Sequence, residues 1–373
     1  MIKIAADSQI VNIEQNLIKF FADEYSLQFF KSDQLNSKDL TDVDALLVRS
    51  TILVGKDLCT NSQIKFVGSA TSGINHLDTQ YLDDQNISWS HAPGCNACSV
   101  AHYVMAALGE LIQENFFNIS ESVGIIGYGN IGKRLYQILS SLNIEVYACD
   151  PFLQDAHLVN MDKVLACDLV TIHVPYSTEG AHPTSGLINQ SHKNALKDKI
   201  LINTSRGGIV SEDLVLELQD LIYIADVWID EPIPSIPIIQ KAFISTPHIA
   251  GYSIEGKLNG TIMIAKECAR FFNCLKDDDH NSDPLADWPY GIENIVHDLH
   301  TFGFPLTMFN SELNLKFISD VMKNIPANKI ADSFEDLRIN HSPRHDFNAY
   351  SYEAMVNLDE SIKSSFFNSL KNL

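Results

Sequence analysis

Positive charge is what this sequence has least of. Against 47 aspartates and glutamates stand 26 lysines and arginines, a formal net charge of −21 at neutral pH. That balance excludes binding a nucleic-acid backbone or an anionic membrane through bulk electrostatics. An anion can still be held, but only where arginines, helix N-termini or backbone amides converge on one place. Long apolar runs are missing too: none reaches the roughly 18 residues that a membrane span needs. The opening, Met1-Ile-Lys-Ile-Ala-Ala-Asp7, lacks a basic segment followed by an extended apolar one, so a cytoplasmic location is expected. Cysteine is sparse. Its seven residues, Cys59, Cys95, Cys98, Cys149, Cys167, Cys268 and Cys274, form an odd, scattered set that suits reduced thiols. Cys95 and Cys98 have CxxC spacing, but no second pair accompanies them, so no metal or redox centre is expected. Internal repeats and low-complexity tracts are absent.

What is present is a chain of 373 residues, 45% hydrophobic, too long for one core and ordinary for two or three globular domains. Short β-rich runs alternate with helical stretches: Ile2 to Ala6, Ala45 to Arg49, Lys65 to Gly68 and Ile87 to Ser90. A helical segment from about Asn96 to Glu114 follows, with Val100, Val104, Ala107, Leu108 and Leu111 near helical spacing, and reads as a bridge between domains. A second series runs through Val123 to Ile126, Ile144 to Cys149, Leu169 to Val174, Ile200 to Asn203, Tyr223 to Val227 and Phe243 to Ser245. These strands are apolar on both faces, as in a parallel sheet covered by helices on each side. The expected class is therefore α/β, with two doubly wound parallel-sheet domains of Rossmann or flavodoxin-like type. Lys276-Asp-Asp-Asp-His280, closed by Asp283-Pro284, reads as a solvated linker to a third section.

The sharpest motif is Gly127-Tyr-Gly129-Asn130-Ile131-Gly132, between the strand Val123 to Ile126 and a helical stretch from Asn130 to about Ser141. The first glycine permits a tight turn, the second lets a pyrophosphate approach the backbone, and the third lets helix and strand pack closely. A bare GxGxxG is a weak signal; here it comes with its strand, its helix and Asp150 at the end of the next strand. Asp150 is placed to accept hydrogen bonds from ribose hydroxyls and to repel a 2′-phosphate, so NAD is the expected cofactor. The plainer alternative is a turn aspartate before Pro151.

Three later segments put polar residues at the C-terminal ends of strands, where ligands bind in open α/β sheets. They are Leu201-Ile-Asn-Thr-Ser-Arg206-Gly-Gly208, Ala225-Asp226-Val-Trp-Ile-Asp-Glu231-Pro232 and Thr246-Pro-His248-Ile-Ala-Gly251-Tyr252. Together they supply what oxidation of a 2-hydroxyacid needs. Arg206 can grip a carboxylate with two parallel hydrogen bonds. A histidine, here His248, titrates in the range needed to take a hydroxyl proton. Glu231 can bond the other ring nitrogen, fix its tautomer and stabilise the imidazolium. Singly, each residue is equally well a surface charge, a loop residue or a strand end; the joint placement carries the reading.

At these residues the chain resembles the D-isomer-specific 2-hydroxyacid dehydrogenases, over about its first 275 residues. Leu47-Val-Arg-Ser50-Thr51, Phe66-Val-Gly-Ser-Ala-Thr71, Ala92-Pro-Gly-Cys-Asn-Ala97 and Thr246 through Gly256 narrow the likeness to a branch acting on a phosphorylated acid. The resemblance implies catalytic roles for Arg206, Glu231 and His248, substrate contacts from Ser50, Thr71 and Tyr252, and NAD contacts from Asp150, Asp226 and Gly251. It implies a substrate domain of residues 1–95 with 253–282, an NAD domain of 96–252, and an α+β section from 283 to 373 that makes a homodimer. In that section Leu337-Arg338-Ile-Asn340-His-Ser-Pro-Arg344-His-Asp-Phe347 resembles the family's tail motif. Two positions depart from the pattern: His102 stands where a glutamate is usual, and Val174, where a threonine is usual, can offer NAD only its backbone. Other readings are a dehydrogenase for 3-phosphoglycerate or a plain hydroxyacid, and an NAD-sensing regulator.

A substrate carrying carboxylate and phosphate needs more cations than Arg206. Arg49, beside Ser50, is the best-placed candidate in the N-terminal domain, and Arg338 and Arg344 are the closely spaced arginines of the tail. Purely structural or dimer contacts are an equal reading for the tail pair.

Overall fold

The computed structural model describes residues 1–276, 313–341 and 343–346. The linker expected at Lys276 to His280 and the boundary at Asp283 fall almost wholly outside the described residues. Those described form two compact units: Met1–Asn96 together with residues 253–276, and Ala97–Tyr252 together with the residues from 313 to 346.

The first unit is built on five parallel strands, β1 (Ile2–Asp7), β2 (Tyr25–Phe30), β3 (Ala45–Val48), β4 (Phe66–Ser69) and β5 (Ser88–Ser90), in the order β2-β1-β3-β4-β5. All four residues of β3 and of β4 are buried, as strands covered on both faces should be. β2 is the one strand missing from the sequence expectation. It lies at the sheet edge, half exposed, and its Ser26 and Gln28 interrupt the apolar run that marks the central strands. The helices Ile13–Phe20 and Ile254–Phe271 share one core, where Leu17 and Phe20 meet Ile264, Ala265 and Cys268. The second helix comes in against the β4 loop: a Cβ on Gly260 would stand 2.5 Å from the Ala70 carbonyl oxygen.

The second unit is built on six parallel strands, β6 (Ser122–Ile126), β7 (Glu145–Cys149), β8 (Leu169–Ile172), β9 (Ile200–Asn203), β10 (Ile222–Ala225) and β11 (Ile244–Ser245). Their order is β11-β10-β9-β8-β6-β7, so the winding reverses between β6 and β8. Ligands of open α/β sheets bind at such a reversal, beyond the carboxyl ends of the strands. β8 and β10 each stop two residues earlier than the sequence reading has them, although the amides of His173 and Asp226 still donate to the Ile126 and Asn203 carbonyls at 2.7 and 3.1 Å. The helix Ala97–Gln113 is buried on nearly every side, Ser99, His102 and Glu110 included. No helix among the described residues is long and apolar enough to cross a membrane.

The described tail belongs to this second unit. Its helix Leu315–Lys323 lies along β11, with Ser319 Oγ accepting from the Ser245 amide at 3.0 Å. Its helix Ile330–Ile339 sinks Ile330 and Phe334 into the core that holds Trp228 and Ile238.

Candidate active site

The glycine-rich turn has the geometry its sequence calls for. Gly127 sits at φ +96°, and a Cβ there would fall 2.3 Å from the His173 carbonyl oxygen. A Cβ on Gly132 would lie 2.0 Å from the Gly127 carbonyl oxygen, so the helix Asn130–Ser141 can approach its strand only without one. Around Gly129 the opposite holds: nothing lies within 4 Å of its Cβ position. That open backbone, flanked by exposed Asn130, half-buried Ile131 and the helix N-terminus, fits a dinucleotide pyrophosphate. Asp150 closes the turn from β7, its Oδ2 accepting from the Tyr128 amide at 3.0 Å and its Oδ1 from the Phe152 amide at 3.0 Å. It is thus a turn residue, yet each carboxylate oxygen keeps a lone pair for a ribose hydroxyl. Two expectations follow from this corner. Gly132→Ala should abolish measurable NAD binding and lower stability by about 1–3 kcal/mol, the range for overpacking, as a fluorescence titration and a urea melt would read. Asp150→Ala should lower the ratio of kcat/KM with NAD to that with NADP; a fixed ratio would leave Asp150 as a turn residue alone.

Arg206, Glu231 and His248 come from three different loops, after β9, β10 and β11, and the fold brings the last two into contact. His248 Nδ1 lies 2.7 Å from Glu231 Oε2, while Glu231 Oε1 accepts from the Trp228 amide at 2.9 Å. Burial alone would raise the Glu231 carboxyl. The hydrogen bond and charge of His248, the Trp228 amide and Arg338 outweigh it and hold the carboxyl below its usual value. A carboxylate can only accept, so the ring proton sits on Nδ1 and Nε2 is left as the free base nitrogen. His248 itself has φ +57°, a left-handed conformation rarely adopted by a residue with a side chain, and such strain concentrates at functional sites. Arg206 is half buried, with Nη1 donating to the Ser205 carbonyl at 2.7 Å, and burial holds its guanidinium below its usual value.

The His248 loop is tied from two sides. Asp226, buried to 1% exposure at the end of β10, accepts from Thr246 Oγ1 at 2.6 Å and from the amides of Ile249 and Ala250 at 2.8 and 2.9 Å. Burial pushes its carboxyl up to about 6 against those donors and the charge of His248. From the tail comes Arg344, at 1% exposure, whose Nη2 donates to the carbonyls of Ala250 at 2.6 Å and Ser99 at 3.2 Å. Asp346 lies 3.6 Å from the Arg344 guanidinium and accepts from Ser99 Oγ at 3.1 Å, and Nη1 of Arg344 is 3.5 Å from His102 Nδ1. Gly251 and Tyr252 follow this loop, both half buried.

In the first unit, Ser50 is exposed just after β3 and Arg49 beside it is paired with Asp7 at 2.9 Å and with Gln9. Thr71, after β4, bonds Ser69 Oγ at 2.9 Å, which in turn meets His76 Nε2 at 2.8 Å. Burial, then the neighbouring His91, brings the His76 imidazole down to about 4. Another histidine that sequence reasoning missed, His173, stands buried beyond β8 with Thr171 Oγ1 at 2.9 Å, and burial pushes it down to about 3. The backbone amide of its neighbour Val174 is engaged within the protein, donating to Ser205 Oγ at 3.2 Å. The only sequence signal for His173 is a histidine next to a strand end, which is common, and His76, well beyond the end of β4 at Ser69, has none.

A family model described as "D-isomer specific 2-hydroxyacid dehydrogenase, NAD binding domain" matches residues 116–250. An erythronate-4-phosphate dehydrogenase of Pseudoalteromonas translucida is 40% identical over 279 residues, 71% of this chain and 74% of that one. One of Wigglesworthia glossinidia brevipalpis is 36% identical over 303 residues, 79% of each chain. Among solved structures, an NAD⁺-bound 3-phosphoglycerate dehydrogenase from Entamoeba histolytica superposes with a TM-score of 0.62 at 22% identity, covering 73% of this chain and 95% of that one. At that identity the likeness shows the fold alone. The identities over most of both chains show more, and the chain belongs to the erythronate-4-phosphate dehydrogenase family of D-isomer-specific 2-hydroxyacid dehydrogenases.

Proposed function

We propose that this protein oxidises 4-phospho-D-erythronate at C2 to (R)-3-hydroxy-2-oxo-4-phosphooxybutanoate with NAD, in the formation of pyridoxal 5′-phosphate. The observation that carries the reading is the His248–Glu231 pair at 2.7 Å, in a chain 40% identical to a relative of that activity. Bound NAD supplies the acceptor for the hydride leaving C2. Gly127, Gly129, Asn130, Ile131 and Gly132 would hold it, with Asp150 accepting from the ribose hydroxyls and Asp226 and Gly251 as further contacts. Arg206 fixes the substrate carboxylate as a bidentate partner, which also orients C2. His248 Nε2 takes the C2 hydroxyl proton, and Glu231 holds the ring in the tautomer that can do so and stabilises the cation formed. Ser50, Thr71 and Tyr252 contact the rest of the substrate.

The test is a panel of 2-hydroxyacids with and without a terminal phosphate, followed by NADH absorbance. Turnover confined to an unphosphorylated acid would sink the substrate assignment, and NAD binding with no turnover at all would favour a regulator. The family likeness further supports a cytoplasmic homodimer assembled through the section after residue 283. Light scattering on the full chain should give twice the monomer mass, and a monomer would refute the assembly.

A further inference from the structure

The proposed substrate carries two anionic groups, and Arg206 accounts for one. Of the other arginines that the sequence singles out, Arg49 is committed to Asp7 and Gln9, and Arg344 is buried against backbone carbonyls and Asp346. Arg338 is different. It leaves the last turn of the helix Ile330–Ile339 with one-fifth of its side chain exposed, and its guanidinium carbon lies 5.7 Å from the centre of the Tyr252 ring. An ion pair with Glu335, one turn back on the same helix, is long at 3.6 Å. Its Nε is buried with no hydrogen-bond partner among the described residues.

Two arginines and two glutamates act on one another around it. Arg338 and Arg206 are near enough to oppose each other, since Arg338 adds to the depression that burial causes at Arg206. Both feel the same carboxylate, Glu231, which is already bonded to His248 and to the Trp228 amide. Two guanidinium groups here face two carboxylates: Glu231 is committed to His248 and the Trp228 amide, and the ion pair of Glu335 with Arg338 is long at 3.6 Å. Like charges gathered in a partly buried place are unfavourable until an anion comes between them, and they mark a binding site for one. Tyr252 both bonds the guanidinium and lies against it with its ring, and paired guanidinium N–H groups match phosphate geometry.

We propose that Arg338 is the phosphate-binding residue of this pocket, so that the tail helix selects a 2-hydroxyacid with a terminal phosphate monoester while Arg206 holds its carboxylate. The proposal rests on the function proposed above. It is tested with the full-length variants R338A and R338K, assayed on 4-phosphoerythronate and on erythronate, with inorganic phosphate titrated calorimetrically into the NAD complex. Loss of a charge-assisted contact predicts that R338A lowers kcat/KM for the phosphorylated substrate by roughly 10- to 150-fold, mainly through KM. The loss on erythronate should be at least about ten times smaller, phosphate affinity should fall, and R338K should recover part of both. Equal losses on the two substrates, or unchanged phosphate affinity, would overturn the proposal. A wild-type enzyme that ignores 4-phosphoerythronate would defeat the functional reading, while the phosphate titration would still decide the role of Arg338. If R338A does not fold, R338Q keeps most of the side-chain length without the charge and is read in the same way.

Discussion

His248→Ala should fold, bind NAD and turn over substrate about a hundred- to ten-thousandfold more slowly, the range contributed by a positioned general acid–base. The geometry makes the imidazole hard to replace. Its Nδ1 proton is committed to Glu231 at 2.7 Å, and Glu231 is fixed in turn by the Trp228 amide at 2.9 Å. No other described histidine is offered in the same way: His173 and His76 are buried, and burial holds both well below the usual imidazole range. The left-handed backbone at position 248 supplies a control, because asparagine tolerates φ +57° better than alanine does. His248→Asn should therefore be at least as stable as His248→Ala and equally slow. A kcat within a fewfold of wild type in either variant removes His248 from the mechanism. Glu231→Gln should keep the fold and lose part of the rate, since its amide cannot stabilise a charged ring.

The largest loss of stability is expected from Arg344→Met. It leaves Asp346 buried at 2% exposure without the guanidinium 3.6 Å away, and strips the Ala250 and Ser99 carbonyls of their donor. Removing one partner of a buried ion pair costs about 3–5 kcal/mol, much of it from the charge left behind. The double variant Arg344→Met with Asp346→Leu should recover a substantial part of that loss, as in other double-mutant cycles on contacting groups. Urea unfolding of the wild type, both single variants and the double variant measures this directly. A single-variant loss below about 1 kcal/mol would show the pair to be dispensable. Catalysis should suffer along with stability, because Arg344 and Asp226 hold the same turn of chain on which His248 stands.

What was legible in the sequence was local. The Gly127 to Gly132 fingerprint, the strands around it and the segments ending in Arg206, Glu231 and His248 each carry their signal within about ten residues, and the parallel sheets follow from βα alternation. β2 was hidden because an edge strand needs no continuous apolar run. The role of Arg344 was hidden for another reason: its partners Ala250 and Ser99 lie 94 and 245 residues away along the chain. No pattern near Arg344 distinguishes a phosphate ligand from a buried clamp; only the pairing with Asp346 does. The unusual His102 gains its context from the same cluster, since it stands against Arg344 while Asp346 supplies the carboxylate. Arg338 shares a sequence motif with Arg344, and the structure gives the two arginines opposite surroundings.

The helix Ile254–Phe271, with Cys274 just after it, completes a core whose other buried members precede residue 97. During synthesis, Leu17, Phe20 and Phe66 therefore emerge long before Ile264, Ala265 and Cys268 are made to cover them. At ribosomal rates of roughly 5–20 residues per second, that interval is on the order of ten seconds or more. The entire chain segment from Ala97 to Tyr252 is translated within it. The N-terminal unit is thus the first part made and cannot be the first part finished, and its sheet keeps apolar surface uncovered while the rest of the chain is translated.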